Sequence, residues 1–440
     1  MTRLLQGFGK NLFAAPVQLL LTNLMTEDDK AIFVARLLIL AIVISMTRAF
    51  ALVSLLELAL CLLFVCNSKL RSVFIGALSD IRVSLTMLFW VWVFVAMLWG
   101  DASLAERFEE WWSWRKLILV PMVFGLFTTD SSKRCLLWAL VGICTVFMIG
   151  SWGGYFGLIE LDREPSRLLE NHATQGILFG ASALFLCGLL IQGVSIKTFL
   201  GKSVAILLII GFVSNIMLIL TGRSGYSFLL VTSTVFFFLV LKLPALHRLG
   251  AAAALFITIS AGFFFSETAN ERVRAAIHNM EHAFDASSIN TSLGMRTVMW
   301  VNTVHVIDNH FPFGTGSGSF KNAYAEVVKS ESGWRSQVSD DPHQQYLHVA
   351  AEHGIPGLII FLGALGAWLS TVRFSSTVYH YLGIAILMGT IVNGFGNGHF
   401  GTFVEGRLVW IYVAGLLSGT SAWIFVMPSF LRNTMATKSR

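Results

Sequence analysis

The sequence predicts an all-α polytopic membrane protein of about 12 transmembrane helices, with a large helical outer loop between spans nine and ten. Three observations predict it. Of the 440 residues 55% are hydrophobic and only 13% charged, against about 25% charged in soluble domains. Apolar runs of about 20 residues, enough to cross the hydrocarbon as helix, recur from Ala31 to Met427. Lysine and arginine recur in the short connections of one face.

Window hydropathy places the spans near 31–47, 49–66, 73–99, 115–128, 135–156, 173–192, 203–220, 225–242, 248–265, 354–372, 378–392 and 408–428. An even number puts both termini on one side. Lys69, Arg71, Lys133, Arg134, Lys197, Lys202, Lys242 and Arg248 lie on that side, with the terminal Arg3, Lys10, Arg432, Lys438 and Arg440. The positive-inside rule makes this face cytoplasmic and leaves 266–352 outside. The chain then divides into nine spans over 1–265, a helical loop carrying the chemistry over 266–352, and three spans with a short tail over 353–440. The first thirty residues lack the apolar core and small-residue cleavage site of a signal peptide.

Cys61, Cys66, Cys135, Cys144 and Cys187 all fall within predicted spans, which argues against a disulfide framework or thiolate metal site in the outer loop. The net charge of +6 reflects the topology signals, and nothing in the pattern points to nucleic acid.

Arginines on the outer face need another explanation, because topology selects against them and lipid makes them costly. Arg163 and Arg167 lie in Glu160-Leu161-Asp162-Arg163-Glu164-Pro165-Ser166-Arg167, where simple pairing with acidic neighbours is one reading. Arg223 differs. Its turn, Thr221-Gly222-Arg223-Ser224-Gly225-Tyr226, holds no acidic residue, and the flanking glycines allow close approach of a bulky anion. Arg296 opens the helix-like run 295–306, and Arg407 sits at the outer start of the last span. Arginines converging on one face suit a multiply charged anion such as a diphosphate, which guanidinium groups bind through paired donors. Apolar spans around them suit a lipid tail, and a polyprenyl diphosphate meets both requirements.

Within the outer loop, 267–286 has the spacing of an amphipathic helix. Phe311-Pro312-Phe313-Gly314-Thr315-Gly316-Ser317-Gly318 is turn-rich but lacks the lysine and strand context of a nucleotide-binding loop. At Asp341-Pro342-His343 helix-start signals coincide: an acidic N-cap, proline at the first helical position, then an amphipathic run to His353. This predicts His343 in the first turn, on one face with Tyr346, Leu347 and Ala350. There the positive end of the helix dipole disfavours a charged imidazole, and a general base must be neutral. Asp340 or Asp341 could oppose this by pairing with the ring, and a partly buried structural histidine is the plainer alternative. His278 and His282 have the i, i+4 spacing of a metal pair, but no HExxH glutamate or third ligand accompanies them. The early outer connections carry no DxD-like cluster either, so the expected reaction needs no metal.

Together these residues resemble the bacterial O-antigen ligases. The resemblance runs over residues 30–428 and rests on Thr221-Gly222-Arg223-Ser224-Gly225, Met295-Arg296, Gly314-Thr315-Gly316-Ser317-Gly318, and Pro342-His343-Gln344-Gln345-Tyr346-Leu347 ahead of Gly354-Ile355-Pro356-Gly357. Gln344 stands where the family usually has asparagine. The same superfamily includes O-antigen polymerases and protein O-oligosaccharyltransferases. The resemblance implies a GT-C-like glycosyltransferase that moves O-antigen polysaccharide from undecaprenyl diphosphate to lipid A core, inverting the anomeric centre without metal or nucleotide cofactor. It implies a periplasmic active site at a Gram-negative inner membrane. His343 would be the base and Arg223 and Arg296 the diphosphate ligands, with Arg163 and Arg167 beside them. Gln344, Tyr346, Asp341 and Gly316 would support the site. Two rivals stand: a polymerase using the same donor, and a transporter of the lipid-linked sugar. Inverted repeats and mid-membrane charges would mark the transporter, and neither is evident here.

Overall fold

The computed structural model describes residues 30–160, 167–220, 222–241, 244, 246–250, 253–254, 257, 292–374 and 376–419. Arg163, the pair His278 and His282, the amphipathic run 267–286 and most of the predicted span 248–265 lie outside the described residues. Every regular element among the described residues is helical. In chain order these are α1 (Lys30–Ser45), α2 (Phe50–Cys66), α3 (Ser68–Ala77), α4 (Ile81–Val95), α5 (Leu104–Ser113), α6 (Leu119–Leu126), α7 (Asp130–Tyr155) and α8 (His172–Gln192). They continue with α9 (Phe199–Leu218), α10 (Arg223–Val240), α11 (Ser292–Asn309), α12 (Phe320–Val328), α13 (Gln345–Ser370), α14 (Val378–Asn393) and α15 (Val404–Leu416).

Among the described residues six helices are long and apolar enough to cross a membrane, and the pair α2 and α3, bent by 102°, makes a seventh if taken as one span. The expected spans at 135–156, 173–192, 203–220 and 225–242 coincide with α7 to α10 within a few residues. Others are broken. The run 73–99 does not form one helix, because Asp80 accepts from Arg82 N and starts α4 afresh after α3 has ended. The run 115–128 is a 3₁₀ turn over Trp114–Ile118 followed by the eight-residue α6. The span expected at 354–372 is the second half of a longer helix, α13, kinked at Gly354, whose φ of 68° no ordinary helical residue adopts.

At the centre stands α8, with 83% of its apolar window buried. Small residues let its neighbours approach: a Cβ placed on Gly176 would lie 2.6 Å from the Cα of Gly225 in α10. This crossing sets the start of α10, and hence Arg223, against the start of α8. Buried charges tie the remaining helices. Arg407 is not a free outer cation, since its Nε and Nη2 donate to the two carboxylate oxygens of Glu57 at 2.7 and 3.0 Å. Arg115 Nε donates to the same carboxylate at 3.3 Å. Lys116 Nζ donates to Gly401 O and, at 3.0 Å, to Thr402 O, which anchors the turn between α14 and α15.

Beyond the main core, α11, α12 and the start of α13 enclose a small apolar cluster of Val306, Phe320, Ala323, Tyr324, Val328 and Ala351. The glycine-rich stretch 314–318 staples this unit to the bundle. Thr315 N donates to Ala351 O at 2.8 Å, Gly316 N to Glu352 O at 2.9 Å, and Ser317 Oγ to Val93 O at 2.7 Å.

Candidate active site

His343 lies outside the helix predicted to contain it. Asp341 caps a local turn instead, with Oδ1 accepting from His343 N at 2.7 Å. His343 has φ +53°, in the left-handed region, and the helix begins two residues later. Its N-cap is Gln344, whose Oε1 accepts from Leu347 N at 2.6 Å. The helix-start signals at Asp341 and Pro342 were therefore real turn chemistry with the register of the helix misassigned. A side chain with a Cβ in this backbone region costs about 1–3 kcal/mol, and such strain persists only where surroundings over-determine it. Here Trp300 Nε1 donates to Pro342 O at 3.0 Å and Gln345 N to Gly394 O at 2.8 Å.

The imidazole of His343 is 45% exposed, with Nδ1 3.7 Å from Asp341 Oδ2. That exposure excludes a packed structural histidine and leaves the far ring nitrogen to solvent or substrate. On its other side Asp341 Oδ1 is 3.9 Å from Nδ1 of His348. Tyr346, expected beside His343, turns away: its hydroxyl donates to Ile391 O at 2.6 Å and its ring packs on Phe395 at 4.8 Å. Gly316 belongs to the staple under α13.

Arg223 is the first residue of α10 and is exposed. Arg296 lies near the start of α11 and is half-buried, with Nη2 donating to Asn397 Oδ1 at 3.4 Å. Burial pushes the Arg296 guanidinium below its ordinary value, the Arg223 charge pushes it further, and Asp341 opposes both. The two arginines are thus electrostatic neighbours, and the carboxylate beside His343 acts on one of them. Two cations held together in this way favour a bound polyanion. Arg167 is not drawn in: its Nε is buried without a hydrogen-bond partner, and no described contact joins it to Arg223, Arg296 or His343.

The turn between α14 and α15 completes the site and was not singled out from sequence. Asn397 Nδ2 donates to Ser224 Oγ at 2.9 Å, beside Arg223, while Phe400 N donates to Gln345 Oε1 at 3.0 Å. His399 is buried here, its Nδ1 4.0 Å from Oε1 of Glu405. Burial lowers the affinity of this ring for a proton, against the pull of Glu405 and Asp341. Glu405 itself is held by hydroxyl donors, Thr174 Oγ1 at 2.6 Å and Thr402 Oγ1 at 2.7 Å. The available signal was the stretch Asn393-Gly394-Phe395-Gly396-Asn397-Gly398-His399, glycine-rich and polar between two apolar runs.

Among the described residues one trio could hold a cation: Glu110, Glu352 and His353 offer ligand atoms within 4.8 Å of one another. It lies beneath the glycine staple, where Glu352 Oε1 accepts from Phe320 N at 3.3 Å.

The O-antigen ligase family model matches residues 181–362, a stretch that contains Arg223, Arg296 and His343. Over these residues the chain is similar to the O-antigen ligase/polymerase superfamily. No curated protein sequence matches it. Members of this superfamily are multi-pass membrane proteins of glycosyltransferase type that handle lipid-linked polysaccharide, consistent with apolar helices around a polar, arginine-bearing end.

Proposed function

We propose that this protein is an O-antigen ligase, transferring polysaccharide from undecaprenyl diphosphate to lipid A core oligosaccharide on the periplasmic side of the inner membrane. The observation that carries the reading is Asp341, which stands 3.7 Å from the exposed His343 ring and acts on Arg296, itself beside Arg223. A base and a dication are thereby linked through one carboxylate.

This mechanism uses the tautomer protonated at Nδ1, the nitrogen 3.7 Å from Asp341 Oδ2, with Nε2 as the basic nitrogen. Nε2 takes the proton of an acceptor hydroxyl while that oxygen attacks the anomeric carbon. The bond from this carbon to the diphosphate oxygen breaks with inversion, and its electron pair leaves on the diphosphate. Arg223 and Arg296 stabilise the charge that grows there, supplying by guanidinium groups what a divalent cation supplies in other transferases. Diphosphate is a good leaving group, so no general acid is needed.

The test is reconstitution of the purified protein with lipid-linked O-antigen and lipid A core in the presence of chelator. Covalent capped lipopolysaccharide supports the ligase, whereas lengthened carrier-linked polymer identifies a polymerase and movement of donor without product a transporter. In cells, His343→Ala should abolish capping at normal expression and strand long polymer on its carrier. Wild-type capping in that variant overturns the assignment of the base.

A further inference from the structure

Two guanidinium groups held near one another repel, so something must hold Arg223 and Arg296 in place before an anion arrives. The contact that does so is neutral. Asn397 Oδ1 accepts from Arg296 Nη2 at 3.4 Å, and Asn397 Nδ2 donates to Ser224 Oγ at 2.9 Å. One amide therefore joins α11, which carries Arg296, to the first turn of α10, which carries Arg223. Its orientation is fixed by its partners, since only the oxygen can accept from a guanidinium. A second rung lies one turn away, where Ser227 Oγ donates to Asn393 Oδ1 at 2.7 Å. Asn397 N donates to Asn393 O at 3.1 Å, which continues the rise of α14 by a turn and keeps both amides toward α10.

The choice of an amide matters chemically. A carboxylate at 397 would orient Arg296 equally well but would neutralise it and compete with a phosphate for its donors. An amide orients the guanidinium and leaves its charge available.

We propose that Asn397 is the positioning residue of the donor site, setting the spacing of Arg223 and Arg296 so that they grip the two phosphates of a polyprenyl diphosphate together. This rests on the diphosphate reading of the two arginines. Full-length protein in nanodiscs, titrated with undecaprenyl diphosphate, tests it. Asn397→Ala should weaken binding about tenfold, the scale of one hydrogen bond to a charged group, and Asn397→Asp should weaken it more. In turnover, KM for the donor should rise in both variants while KM for the acceptor stays put. Ser224→Ala breaks the same bridge from its other end and should reproduce part of the loss without touching Asn397. A merely structural role predicts the reverse order, with the isosteric aspartate tolerated better than alanine, and that result overturns the proposal. If Arg223→Ala and Arg296→Ala lose the ligand while both Asn397 variants bind like wild type, the bridge fails and the diphosphate reading stands. If the arginine variants also bind like wild type, both fall.

Discussion

Asp341 Oδ1 accepts the backbone N–H of His343 at 2.7 Å, while Oδ2 of the same carboxylate lies 3.7 Å from the His343 ring. One side chain thus fixes the turn that presents the imidazole and also faces it. The two roles separate by substitution. Asp341→Asn keeps an acceptor for the N–H and loses the charge, whereas Asp341→Ala loses both. Ligation should fall in the order wild type, Asn, Ala. The alanine variant should lose about 10²-fold or more, as expected when a base is misplaced by about an ångström. Equal rates for Asn and Ala would remove the turn from the explanation.

The left-handed backbone at His343 predicts an unusual ranking among inactive variants. Alanine in that conformation meets a penalty of about 1–2 kcal/mol that glycine does not. His343→Gly and His343→Ala should therefore both abolish ligation, yet the glycine variant should be at least as stable to thermal unfolding. A clearly higher melting temperature for alanine would mean that the φ of +53° is not the working conformation.

Arg407 and Arg223 are both cations on the outer face of the sequence, Arg407 with Glu405 two residues before it and Arg223 in a turn without an acid. Their roles part because Glu57, hundreds of residues from Arg407, reaches it through the fold and buries it. Arg407→Ala leaves the buried Glu57 carboxylate with Arg115 as its remaining cation and should cost up to about 3–5 kcal/mol, seen as lost folded protein. Arg407→Met paired with Glu57→Gln should restore much of the yield. Donor affinity per folded molecule should stay at the wild-type level throughout, in contrast to Arg223→Ala.

Spans such as α7 to α10 were readable because each is a single apolar run ended by turn residues. The run 73–99 misled because one aspartate, Asp80, restarts a helix inside an otherwise apolar window. The turn at Asp341-Pro342-His343 is legible from residues local to it, but the register of the helix that follows depends on Gly394 O, which receives Gln345 N from far along the chain. Asn397 lies in a glycine-rich polar stretch that marks a turn but does not indicate which side chains the amide meets. Its chemistry exists only where α10, α11 and the turn after α14 meet.

His399 should shape the acid limb of the stability curve. Burial holds its ring neutral in the folded protein, below the ordinary histidine value of about 6.5. The unfolded chain binds a proton there that the folded chain does not, so stability rises with pH through this range and is lost as pH falls below about 6.5. The neighbours that face the ring pull in both directions: Glu405 and Asp341 favour its protonation, and Arg296 disfavours it. Desolvation outweighs them. His399→Gln removes the titrating group, so its melting temperature should decline less steeply than that of wild type between neutral pH and pH 5. Parallel pH profiles for the two proteins would show that the ring titrates normally in the fold, and that Glu405 compensates its burial in full.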